Sequence, residues 1–93
     1  MCRASINPRP IHIRESARKH GVADDDIRHA VEHPIAREEL DAPGDEQRVL
    51  WLGPDRAGNL LEIIVVVFED GAELAVHAMK MRPMYRRVLP KER

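Results

Sequence analysis

Leu60-Leu61-Glu62-Ile63-Ile64-Val65-Val66-Val67-Phe68-Glu69 is the stretch that decides the fold. An apolar run of this length, rich in β-branched residues, reads as a strand. It shows no polar–apolar alternation over Ile63–Val67, so the strand is expected to be central and covered on both faces. Asp70-Gly71 directly after it is a strong hairpin signal. Glu73–Lys80 then reads as the returning strand. Upstream, Gly53–Asn59 is a loop rich in turn formers, and Arg48–Leu52 reads as the strand before it. An antiparallel meander follows from these pieces.

The flanks supply helices. Glu15–His20 reads as a short helix, with Lys19 and His20 in its last turn and Gly21 just past its end. Asp24–His33 reads as a second helix: Asp24, Asp25 and Asp26 suit its first turn, and Ile27, Ala30 and Val31 form an apolar stripe. Pro34 ends it. Residues 35–46 are polar, with a Pro43-Gly44 turn and the makings of a short edge strand over Ala36–Leu40. Pro83–Val88 reads as a short closing helix. The expected fold is α+β, with two N-terminal helices packed on an antiparallel sheet of three or four strands and a short C-terminal helix. Residues 1–9 form a loose lead-in and 90–93 a tail.

With 93 residues the chain is expected to form one domain with a thin core. Trp51, Phe68 and Tyr85 are its only aromatic residues, so Ile, Val, Leu and Met must fill that core. Cys2 is the single cysteine, which excludes an intramolecular disulfide and fits a reducing compartment. No apolar run is long enough to span a membrane, and residues 1–5 lack the apolar character of a signal peptide. A cytoplasmic protein is expected.

Net charge is −1, which argues against a general nucleic-acid binder. The distribution is uneven. Residues 1–22 carry five basic and one acidic side chain, and residues 77–93 six and one. Residues 23–46 carry two basic and nine acidic. A fold that joins the two ends makes a basic face for a polyanion, whereas an ordinary mixed surface is the plain alternative.

By alternation along the last strand, Leu74, Val76 and Ala78 point one way, towards the core. Glu73, Ala75, His77, Met79 and Met81 point the other. Two short helices cover only one face of the sheet. A partner chain, a second copy or the C-terminal segment must cover the other.

His29-Ala30-Val31-Glu32-His33 matches the H-x-x-E-H spacing of inverted zinc proteases. Pro34 follows at once and no third ligand is marked, so a solvated helix face is the expected role and no metal is assigned. Cys2, Ser5 and Ser16 lack the surroundings of a nucleophile, and Gly53, Gly58 and Gly71 are turn residues rather than a phosphate loop. Chemistry concentrates instead in His77-Ala78-Met79-Lys80-Met81-Arg82-Pro83-Met84-Tyr85, which groups an imidazole, two cations and a phenol around a strand end.

Lys19-His20-Gly21-Val22, the acidic start of the second helix, Arg48 leading into a strand that ends at Gly53, and the run ending in Tyr85 resemble, in order and spacing, the BrnT branch of the RelE-like toxins. "SARKHG" and "HAMKMR" are the segments nearest to a group of actinobacterial toxin-like proteins. The resemblance covers roughly residues 11–89. The chain departs from the family pattern at His77-Ala78-Met79, where Ser-Ala-Arg is usual, at Ala23, where Ser or Thr opens the helix, and in lacking a glutamate before Tyr85.

The resemblance implies a type II toxin that cuts RNA without metal or cofactor. In such chemistry a 2′-hydroxyl attacks the adjacent phosphate, which needs a base, an acid and cations on the phosphorane. His20 and His77 are the acid–base candidates, since an unperturbed imidazole titrates near ~6.5. Arg82 and Lys80 suit the phosphate. Tyr85 completes the catalytic set, either as a base or stacked on a nucleobase, while Lys19, Arg48 and Arg86 join Lys80 in binding RNA. The implied partner is a small DNA-binding antitoxin of the ribbon–helix–helix kind. The alternative implication is an inactive member that serves as a protein-binding co-repressor.

Overall fold

A computed structural model describes residues 11–41, 44 and 46–90. The lead-in over 1–9, with Cys2 and Ser5, lies outside the described residues, as do Pro43 of the expected turn and residues 91–93 of the tail.

The chain is α+β, built on one five-stranded mixed sheet. Its strands are β1 (His12–Ile13), β2 (Ala36–Leu40), β3 (Gln47–Pro54), β4 (Leu60–Val67) and β5 (Glu73–Lys80). They lie in the order β1-β5-β4-β3-β2. β2 through β5 form the expected antiparallel meander, and β4 is the middle strand of the sheet. Gly71 adopts φ +88° at the hairpin after β4, a conformation open to glycine. Phe68 N–H donates to the Ala72 carbonyl across that turn at 2.9 Å.

The structure corrects the expected architecture in three ways. The sheet has five strands and is mixed, because β1 pairs in parallel with β5 through His12–Leu74 and Ile13–Ala75. Two residues carry no periodic signal, and a parallel partner so far along the chain leaves none either. The first expected helix, Glu15–His20, is a single 3₁₀ turn over Glu15–Arg18, and α1 (Asp24–Glu32) is the only α-helix among the described residues. The closing segment Pro83–Val88 is likewise 3₁₀.

The third correction concerns β5. Ile64 pairs with His77 and Val65 with Ala75, which leaves Val76 as a bulge. The bulge breaks the alternation. Ala75 and Ala78, expected on opposite faces, both pack with Ile63 and Val65 under α1. His77 and Met79 pair with Ile64 and Glu62 on the other face, together with Leu74 opposite Val66.

The core accordingly has two layers. On one face Ile27 and Ala30 of α1 meet Ile63, Val65, Ala75 and Ala78. Close approach of α1 to β3 depends on Gly53, where a Cβ would run into the Ala30 carbonyl. On the other face Leu50 and Leu52 pack with Tyr85, flanked by Ile64, Met81, Val88 and Leu89. The C-terminal 3₁₀ turn therefore covers part of the second face itself. Ile35, Phe68 and Met84 remain exposed. No helix among the described residues is long and apolar enough to cross a membrane.

Candidate functional site

Glu62 organises the site. It sits in the middle of an apolar run, faces the second layer and is 0 % exposed. A carboxylate in such a place must be paired. The chain meets that need from β5 and the turn after it. His77 Nε2 lies 2.9 Å from Glu62 Oε2. Arg82 donates its backbone N–H to Oε1 at 2.8 Å and its Nη2 to Oε2 at 2.7 Å. Arg82 is placed by the chain leaving β5, where Met81 N–H donates to the Leu60 carbonyl at 3.0 Å.

Burial pushes the Glu62 carboxyl upward, but the hydrogen bonds from Arg82 and His77 outweigh it and the net shift is downward. Glu62 in turn raises Arg82, with smaller contributions from the Tyr85 phenol. The carboxyl is thus ionised and can only accept. Nε2 of His77 must therefore carry a hydrogen towards Glu62, so that in the neutral tautomer the lone pair lies on Nδ1. The His77 side chain is 24 % exposed and that of Arg82 44 %.

His20 joins this cluster from the other side. Its ring meets that of His77 edge-on, with centroids 5.7 Å apart. Two local ties hold it there. Ser16 Oγ donates to the carbonyl of the bulge residue Val76 at 2.7 Å. Arg18 clamps Asp24 through Nε and Nη2, each at 2.9 Å, around the Gly21 turn. Next to His20 a cleft of about 460 Å³ opens, lined by Lys80, Met79, Val22 and the carboxylates Asp26 and Asp55.

His20, His77, Lys80 and Arg82 of the sequence candidates share one end of the sheet, but Lys80, opposite Leu61, stands on the α1 face, whereas His77 and Arg82 meet Glu62 on the other. Lys19, at the end of the first 3₁₀ turn, and Arg86, in the last, are exposed. Tyr85 is only 8 % exposed, and its ring lies under Arg82, with the guanidinium carbon 5.7 Å from the centroid. A ring so placed supports Arg82 and has no free face for a base. Arg48 stands apart. It pairs with Val66 while Lys80 pairs with Leu61, five residues or roughly 17 Å along β4. Its guanidinium is bound to Glu46 at 2.7 Å.

Glu62 was missing from the sequence candidates. The signal was present: a single charge inside a strand expected to be covered on both faces. The H-x-x-E-H histidines stack at 4.3 Å. Each places Nδ1 on a backbone carbonyl, His29 on Pro54 and His33 on His29. No group of three metal-ligating side chains occurs among the described residues.

Comparison with protein-family models, with curated proteins and with solved structures returned no match for this chain.

Proposed function

We propose that the cluster cleaves RNA as the toxin of a type II toxin–antitoxin pair. The observation that carries the reading is the His77 imidazole, fixed by a buried carboxylate in one tautomer, beside a second imidazole and a guanidinium. His77 Nδ1 takes the proton of a 2′-hydroxyl. The 2′-oxygen forms a bond to phosphorus, and the phosphorus–O5′ bond breaks. His20 gives a proton to the leaving 5′-oxygen, so the products are a 2′,3′-cyclic phosphate and a 5′-hydroxyl. Arg82 stabilises the charge that gathers on the phosphoryl oxygens, while Lys80, at the same strand end but on the α1 face opposite Leu61, borders the cleft beside His20. Glu62 is a positioning residue in this scheme, and Tyr85 holds Arg82. The resemblance to BrnT and RelE-like toxins supports the same reading and supplies the partner, a small ribbon–helix–helix antitoxin.

One observation favours a second reading, an inactive protein-binding module. Glu62 engages both Nε and Nη2 of Arg82, which offsets the charge that a phosphate would use.

Expression in a bacterial host tests the choice. Growth arrest by the wild-type chain, relieved by His77→Ala and by Arg82→Ala in variants that still fold, supports the nuclease. No arrest, with stable co-purification of a co-expressed neighbouring gene product, supports the binding module.

A further inference from the structure

The sheet ends in an open edge on the side away from the candidate site. β2 is the outermost strand, and no strand among the described residues pairs with its outer side. Such an edge is a template for another strand.

The sequence of this edge is complementary to itself. β2 reads Ala36-Arg37-Glu38-Glu39-Leu40. A two-fold axis through Glu38, perpendicular to the sheet, sets it antiparallel to a second copy. Each Arg37 then stands opposite the partner's Glu39, on the face where Arg37 already lies over the Trp51 ring at 5.3 Å. Each Ala36 stands opposite the partner's Leu40, on the face packed with Leu50 and Leu52. Opposite charges and apolar pairs directly across strands are the pairings that stabilise a sheet. Within one chain Arg37 reaches Glu39 only loosely, at 3.8 Å, and both side chains are exposed.

Glu38 falls on the axis. Its Oε2 accepts from Arg87 at 3.0 Å, while its Oε1 is buried and has no hydrogen-bond partner among the described residues. The Arg87 pairing keeps two facing carboxylates from meeting as bare charges, and the axis brings a second Arg87 towards the oxygen that lacks a donor. Ile35, exposed just before β2, extends the apolar margin.

We propose that this chain forms a symmetric homodimer by antiparallel pairing of β2 with β2 of a second copy, joining two sheets into one of ten strands. The pairing leaves the His77–Arg82 cluster open, because β5 lies three strand spacings, roughly 14 Å, from the paired edge. It does not depend on the nuclease reading.

An interface of one short strand pair is at the weak end of specific contacts. Sedimentation velocity from about 10 µM to 1 mM therefore suits it, with the fluorescence of Trp51 as a second readout. The wild-type chain should shift from monomer to dimer across that range. Arg37→Glu and Glu39→Arg each set like charges opposite one another twice, and each should weaken association by about tenfold or more. The double variant R37E/E39R restores complementarity and should dimerise within about threefold of wild type. Both positions are exposed, so circular dichroism should report unchanged folds. A wild-type chain that stays monomeric at the highest concentration overturns the proposal. So do single variants that dimerise normally, or a double variant no better than the singles.

Discussion

Replacing Glu62 by glutamine keeps its shape and removes its charge. The loss can be worked from the contacts. Wild-type Glu62 accepts from the Arg82 amide at 2.8 Å, from the guanidinium at 2.7 Å and from the His77 ring at 2.9 Å. A hydrogen bond to a charged group contributes about 1.5–3 kcal/mol. Glutamine keeps one acceptor oxygen but turns its amide donor towards these donors. His77 and Arg82 are partly exposed and regain water, which limits the loss. A net destabilisation of about 2–3 kcal/mol follows, or roughly 10–20 °C in Tm for a domain of this size. The pH dependence has a definite sign. The folded carboxyl is held below its ordinary value, so its contribution is complete above the unfolded value of about 4.3 and fades as pH falls through the folded one. The gap between wild type and Glu62→Gln should therefore be full at neutral pH and narrow in acid. Thermal melts by circular dichroism from pH 7 down to about pH 3 read both. A variant melting within about 3 °C of wild type at neutral pH, or a gap that does not narrow, would refute the ionised, hydrogen-bonded carboxylate.

Two further substitutions probe the frame around it. Gly53→Ala should destabilise by about 2–3 kcal/mol, because the added Cβ meets the Ala30 carbonyl and α1 must shift; chemical denaturation measures it. Tyr85→Phe should keep activity within about threefold, or under 1 kcal/mol, whereas Tyr85→Ala should lose about 3 kcal/mol of stability by emptying the second layer. Loss of cleavage in a stably folded Tyr85→Phe would return the phenol to the chemistry.

The readable parts of the molecule were those with local signals. β4 and its hairpin follow from β-branched residues and Asp70-Gly71, and α1 from its acidic start, its apolar stripe and Pro34. The joining of His77, Arg82 and Tyr85 follows from their closeness in sequence at a strand end. Features set by distant pairing were not readable. β1 is a strand only because Leu74 and Ala75 lie beside it. The bulge at Val76 has no glycine to mark it, and it reverses the faces expected of Leu74 and Ala75 while Ala78 keeps the core face. Arg48 was drawn to the site by analogy, although strand register puts it at the opposite end. Glu62 was legible as an anomaly, but its partners came from a strand whose register the sequence does not contain.

The most direct test of the nuclease reading is the chemistry of the cut ends. Purified protein is incubated with single-stranded RNA in the presence of a metal chelator, and the products are identified by mass spectrometry. Transesterification at His77 gives 2′,3′-cyclic phosphate and 5′-hydroxyl ends, which should be formed by wild type and lost in a folded His77→Ala variant. Intact RNA, or 5′-phosphate ends that require an added divalent metal, would contradict it.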